Sequence, residues 1–293
     1  MTIAVNWADP YEDRRGRWYK GNLHAHSSPA SACGKVLLPR VLELYRQAGY
    51  QFLALSDHMK LTQPRRAGLT LIGGVEWNSP AGEHTGVYSL DRDLLAETTA
   101  LHDQQTLLDR LQGRQALVVL NHPNWQHRPH YRREELADRT GYDAVEIYNG
   151  VIERLSGVAI ATDKWDYLLA SGRRVLGMAS DDSHIEADIG LAAVVVRSAS
   201  PRADCILRAM CRGNFYCTSG LAIRDIRRRG QVVTVDTDGG QEIQAIGAGG
   251  VRMARTFAPS MSFSLADTGG NYLRFAAYGQ GSAMAWTQPF FKD

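Results

Sequence analysis

The 293-residue chain has no run of about 18 apolar residues, the length a helix needs to cross a bilayer. It also lacks charge of one sign. Its 33 basic and 31 acidic residues leave a formal net charge of +2, so no global field draws it to nucleic acid or a membrane surface. Cysteine is scarce, and Cys33, Cys205, Cys211 and Cys217 form no CxxC pair. The last three are spaced by six, which suits a helix and a following strand better than a zinc knuckle. No basic-then-apolar pattern opens "MTIAVNWADPYEDRRGRW", so a cytoplasmic location with free thiols is expected. The one dense basic stretch, "RDIRRRG" (Arg224 to Gly230), reads as a solvated turn.

What is present is a 44% hydrophobic chain, ample for one large domain and a small one. Up to about residue 200 strand-like and helix-like stretches alternate. "LLPRVLELYRQAGY" carries a helical stripe ending at Gly49, and "QFLALSDH" follows as a buried strand. "LTLIGGVEW" and "HTGVYSL" read as strands, "LLAETTALHDQQTLLDRLQ" as one helix, and "QALVVLNHP" as the next strand. "YDAVEIYNG", the helix "GVAIATDKWDYLLASG", and the strands "RRVLGMASDDSH" and "GLAAVVVRS" continue the alternation, which favours a parallel α/β architecture, closed or nearly so. Beyond the helix "RADCILRAMCRG" come short strands with Gly-rich turns, so residues 218–293 are expected to form a small β-sandwich-like domain after a main domain of 1–217.

The chemistry sits where the apolar strands stop. His24 and His26 project to the same side of the first strand. Asp57 and His58 end "FLALSDH", Glu76 ends "LIGGVEW", and His84 stands at the start of the next strand. His122 ends "ALVVLNHP", Glu146 and Asn149 end "AVEIYNG", and Asp182 and His184 end "VLGMASDDSH". In a parallel β/α barrel the carboxyl ends of the strands converge on one face. Imidazoles and carboxylates buried there need a compensating partner, and a multinuclear metal centre supplies one. A lone histidine is more often satisfied inside a fold than a ligand, and His102, His127 and His130 are read so. Trp77, Trp125 and Tyr148 adjoin the candidate ligands and offer aromatic walls.

Taken in order, "NLHAHS", "ALSDH", "GVEW", "LNHP", "EIYN" and "SDDSH" resemble the successive motifs of the PHP (polymerase and histidinol phosphatase) superfamily, over about residues 18–200. The resemblance implies a distorted (β/α)7 barrel and two or three divalent ions, Mn, Zn or Fe. The longer form ending in "AWTQPFF" is most similar to a branch that includes carbaryl-hydrolase-like proteins. Carried over residue by residue, the likeness implies that His24, His26, Glu76 and Asp182 hold a first metal. Glu76 would bridge to a second, shared with His84 and His122, and His58 and His184 would belong to a third. The family places an acid or imidazole shortly after its HxH pair, whereas this chain reads "SSPASACG". Cys33 as a thiolate, Asp57 from the next motif, or a weak third site are the alternatives, and a thiolate would favour zinc or iron. Glu146 and Asn149 are expected behind the ligands.

The implied activity is hydrolysis of a small-molecule phosphoester by a metal-activated bridging water, with Asp57 or His184 moving the proton. Lys35, Lys60, Arg65 and Arg197 are the candidate phosphate-binding cations. A second reading keeps the site and changes the substrate to a carbamate, ester or amide. A third, a nucleic-acid-associated module, is disfavoured by the near-neutral charge. No nucleic-acid or membrane partner is expected.

Overall fold

The computed structural model describes residues 6–64, 68–125 and 130–293. After the short β1 (Trp7–Ala8), β2 (Arg17–Asn22) leads into the His24/His26 pair. Helix α1 (Leu38–Gln47) has Pro39 in its first turn, where a missing N–H costs nothing. It buries Val41, Leu42 and Tyr45, and Gly49 leaves it with φ 79°, a conformation that favours glycine. The barrel strands follow as β3 (Phe52–Leu55), β4 (Thr70–Asn78), β5 (His84–Ser89), β6 (Ala116–Leu120), β7 (Ala144–Asn149), β8 (Leu176–Ser180) and β9 (Ala193–Ser198). Between and after them lie α2 (Arg92–Thr98), α3 (Gln104–Leu111), α4 (Arg133–Asp138), α5 (Thr162–Ala170) and α6 (Ala203–Cys211). Among the described residues no helix is long and apolar enough to cross a membrane.

The strand order β9-β2-β3-β4-β5-β6-β7-β8 makes a distorted α/β barrel. Neighbours β2, β3 and β4 are parallel, as are β6, β7 and β8, but β5 is antiparallel to both β4 and β6. Only residues 79–83 join β4 to β5, too few for a crossover, so the pair is a hairpin. The ring draws together at its carboxyl end. There the chain beyond β8 meets the chain beyond β2, with Asp182 N donating to His24 O (2.9 Å) and His26 N to Ser183 O (3.0 Å).

The remaining strands extend this sheet. β10 (Phe215–Thr218) pairs with β9, β17 (Met284–Thr287) with β10, and β16 (Tyr272–Tyr278) with β17. β13 (Glu242–Ile246) and β18 (Phe290–Lys292) flank β16, while β14 (Arg252–Thr256) pairs with β13. Facing them is a separate sheet of β11 (Ala222–Arg229), β12 (Val232–Asp238) and β15 (Ser260–Ser264). Ile226, Val233, Val235 and Met261 from the small sheet pack with Tyr216, Ile243, Phe275 and Ala285 of the long one, which makes a sandwich. The expected division at 217/218 falls inside β10.

Three local expectations change. "RDIRRRG" is the second half of β11 and its turn: Ile226 lies inside the sandwich, Arg224 donates to Thr237 O (2.9 Å) and Arg228 to Trp7 O (2.6 Å). The single helix expected before Gly113 is two, because Asp103 caps a new one by accepting from Thr106 N (2.8 Å). The helix expected from Gly157 begins only at Thr162.

A buried ion pair ties the barrel to the sandwich. Asp166 on α5 accepts from Arg274 on β16 through Nε (2.7 Å) and Nη2 (2.6 Å), and from the Tyr272 hydroxyl (2.9 Å). Both ion-pair residues are almost fully buried. Asp166→Ala is expected to cost about 3–5 kcal/mol in urea unfolding, because it strands a buried guanidinium, whereas Asp166→Leu with Arg274→Met recovers most of the loss.

Candidate metal centre

The site gathers around one carboxylate. Glu76, near the end of β4, is buried, and five imidazole nitrogens lie within 3.3 Å of its two oxygens. Oε1 faces His24 Nε2 (3.1 Å), His84 Nδ1 (3.0 Å) and His122 Nε2 (3.3 Å), while Oε2 faces His26 Nε2 (3.1 Å) and His58 Nδ1 (3.3 Å). Asp182 Oδ1 lies 3.1 Å from both His24 Nε2 and His26 Nε2. Asn121 Nδ2 also donates to Glu76 Oε1 (2.9 Å).

The tautomers are set from behind. His24 Nδ1 meets Glu146 Oε1 at 2.8 Å, and Glu146 Oε2 accepts from His122 N (2.8 Å) and Asn149 Nδ2 (2.9 Å). Ser180 donates to Glu146 as well, and Asn149 Nδ2 also reaches Asp182 Oδ2 (3.1 Å). The Ser31 hydroxyl donates to Asp57 Oδ1 (2.8 Å), accepts from His58 N (3.0 Å) and lies 3.2 Å from His26 Nδ1. With its proton given to Asp57, Ser31 accepts from His26 Nδ1–H, so that a neutral His26 would offer its Nε2 lone pair to a cation between it and the carboxylates. His184 Nδ1 donates to Asp182 O (2.7 Å), leaving its Nε2 bare in the same way.

The backbone is bent to suit. His122 (φ 31°) and Asp182 (φ 51°) are non-glycine residues in the left-handed region, held there by His122 N on Glu146 and Asp182 N on His24 O.

Electrostatically the cluster is short of positive charge. Burial opposes ionisation of Glu76, yet the histidines around it, His24 foremost, hold it well below the usual carboxylate range. Burial likewise works against Asp182, and His24 and His26 hold it down. Burial lowers His26, but its hydrogen bonds to Asp182 and Glu76 bring it up to about 9. Burial dominates at His58, which falls to about 4. Four accepting lone pairs on one carboxylate cannot serve five N–H donors at once. His24 Nε2 and His58 Nδ1 are buried and close to Glu76 but make no aligned hydrogen bond. Nitrogen lone pairs turned toward a carboxylate, with buried nitrogens unpaired, fit a shared cation. Ligand atoms of His24, His26, Glu76 and Asp182 lie within 4.8 Å of one another, as do those of His58, Glu76 and His84, and those of His26, Cys33 and His184.

Other expected residues lie elsewhere. Asp57 is turned into the loop after β2, accepting from Ser27 N (2.7 Å), Ser27 Oγ (2.9 Å) and Ser31 Oγ (2.8 Å). These three hydrogen bonds hold its carboxylate in the loop. Arg197 sits at the opposite end of the sheet beside Trp18, with Nη2 on Asp225 (3.1 Å). Lys35 and Lys60 are exposed, and Lys35 Nζ donates to Ala32 O (3.2 Å). Arg65 and His127 lie outside the described residues. Of the aromatics, Trp125 lines the cavity, Trp77 is core with Nε1 on Leu101 O (2.8 Å), and Tyr148 packs on Trp286.

His130, read from sequence as a satisfied structural residue, packs on His122 (4.7 Å between ring centroids) and His84 (5.3 Å), and its Nε2 has no hydrogen-bond partner. Burial, with His122 and His84 beside it, pushes it down to about 2. It stands in an irregular loop, where no periodicity marks which way a side chain points. All four cysteines are free.

No protein-family model and no curated protein sequence matches the chain. Among solved structures it is similar to a two-domain protein containing a predicted PHP-like metal-dependent phosphoesterase from Bacteroides vulgatus. That likeness has 17% identity and a TM-score of 0.52, over 99% of this chain and 90% of that one. It is also similar to the lesion-specific endonuclease EndoQ from Pyrococcus furiosus, at 12% identity and a TM-score of 0.51, over 65% of this chain and 55% of that one. At such identities the likeness is one of fold: the chain has a PHP-like barrel followed by a C-terminal β region. Neither structure bears on the carbaryl-hydrolase-like branch.

Glu76→Gln is expected to retain native circular dichroism and to lose at least one equivalent of metal after loading and gel filtration, measured by plasma mass spectrometry. Asp57→Asn is expected to behave in the opposite way, with metal content kept and about 1–3 kcal/mol of stability lost, since a buried acceptor is replaced by a donor.

Proposed function

We propose that the protein is a metal-dependent hydrolase acting on a small-molecule phosphoester. The observation that carries this reading is the five-imidazole shell around Glu76, which a shared cation would satisfy. His24, His26, Glu76 and Asp182 would hold a first divalent ion. Glu76 with His58, His84 and His122 would hold a second, and Cys33 with His184 would complete a third position. Bound divalent ions would supply Lewis-acid polarisation and a nucleophilic hydroxide at neutral pH.

The chain's own residues do the rest. Glu146 and Ser31 fix the rings of His24 and His26, so that their Nε2 atoms are pre-aimed. His184, lowered by burial, has Nδ1 committed to Asp182 O, so its Nε2 would serve as a ligand when the third position is filled and as the proton acceptor when it is not. The barrel wall keeps bulk water from all but the cavity mouth.

Of the two structural neighbours, one is described as containing a predicted PHP-like metal-dependent phosphoesterase and the other as a lesion-specific endonuclease. A polyanionic nucleic acid needs several phosphate-binding cations, and among the described residues lining the cavity there is no Lys or Arg. The same observation favours, as a second reading, an uncharged carbamate, ester or amide at this centre.

Metal-loaded enzyme is expected to release p-nitrophenol from p-nitrophenyl phosphate. Chelation or Glu76→Gln should lower the rate by at least about 100-fold. Turnover of p-nitrophenyl acetate and phenyl carbamates without any phosphoester turnover would move the assignment to the second reading, and full activity after chelation would overturn both.

A further inference from the structure

The cavity over the centre encloses about 240 Å³, below the roughly 300–1,000 Å³ of pockets that take drug-sized ligands. Among the described residues, every titratable side chain on its wall is an imidazole, carboxylate or thiol already assigned to the metal positions. The rest of the wall is Trp125, Val151, Ile152 and Leu155. Val151 and Ile152 belong to a 3-10 turn (Gly150–Glu153) that follows β7 directly, so the strand carrying Glu146 and Asn149 also fixes this face. Both are buried, and Leu155 at the mouth is 37% exposed.

The polar residues of this segment are turned away. Arg154 is held by Asp188 through Nε (2.6 Å) and Nη2 (2.8 Å), and Glu153 accepts from the Tyr148 hydroxyl (3.3 Å). Arg154 is therefore clamped outside the lining, and among the described residues no charged side chain beyond the metal positions is left to recognise the part of a substrate that does not react.

We propose that Trp125, Val151, Ile152 and Leu155 form a subsite for a compact, uncharged, apolar substituent, an alkyl or plain aryl group, and that Leu155 is a specificity-determining residue. The proposal rests on the hydrolase reading for the reacting end of the substrate and extends it to the other end. Against the aliphatic wall of Val151, Ile152 and Leu155 a hydroxyl in place of a methyl loses its water without replacement.

The test uses metal-loaded enzyme and matched pairs of equal length, pentyl against 4-hydroxybutyl, as phosphates and as acetates for turnover and as non-hydrolysable phosphonates for calorimetric binding. The pentyl member is expected to be favoured by about tenfold or more in kcat/KM and in Kd. Leu155→Asn, at a half-exposed position and with metal content as the check on folding, is expected to narrow both ratios to within about threefold. Equal values for the two members, or ratios unmoved by Leu155→Asn, overturn the proposal. A preference among phosphonates with no turnover of either pair sinks the hydrolase reading and leaves the subsite standing. Turnover without preference does the reverse, and neither binding nor turnover overturns both.

Discussion

Everything at the carboxyl end of the barrel answers to one carboxylate. Glu76 is buried with five ring nitrogens against it, and the strands that bring those rings cannot all arrive the same way. His24 and His26 follow β2, His58 follows β3, and His122 follows β6, each at a carboxyl end. His84 is different: it is the first residue of β5 and lies opposite Asn78, the last residue of β4. Because β5 runs backwards, its beginning sits where the other strands finish. The antiparallel strand that spoils the regular β/α alternation is thus what delivers a ligand-type ring from the start of a strand.

Crowding so many titratable groups in a dry site demands a second rank of groups that decide which nitrogen of each ring faces inward. Glu146, braced by Asn149, and Ser31 do this from two different motifs, and Ser31 alone touches His26, Asp57 and the backbone of His58. The loop "SSPASACG", with no acid or imidazole, is therefore not an empty spacer. Its serine links two ligand motifs and its cysteine closes toward His26 and His184.

Much of this was legible in the residues. The strand-end positions of His24, His26, Glu76, His122 and Asp182 follow from apolar runs that stop at polar groups, His84 stands at a strand start, and those residues do meet in space. Asp57 was harder to place, because adjacent residues of an extended segment face opposite ways, and a dipeptide such as Asp57–His58 does not say which member looks inward. His130 gave no signal because it lies in a loop without periodicity. β11 was hidden because its basic residues outweigh the apolar Ile223 and Ile226 that pin it to the sandwich. The antiparallel turn of β5 depended on the length of one connection rather than on any residue type.

The pairing of β1 with β18 has a consequence for how the chain is assembled. Asp293 N donates to Asn6 O (3.1 Å), and Trp7 and Ala8 lie opposite Lys292 and Phe291. These contacts join positions far apart along the chain, so forming them on their own closes a long loop, at an entropic cost that grows with loop length. Two residues of ladder return little against that cost until β16 is in place to template β18. The short ladder therefore leans on β16 and on Trp7, which is buried in the sandwich core, rather than on its own pairing.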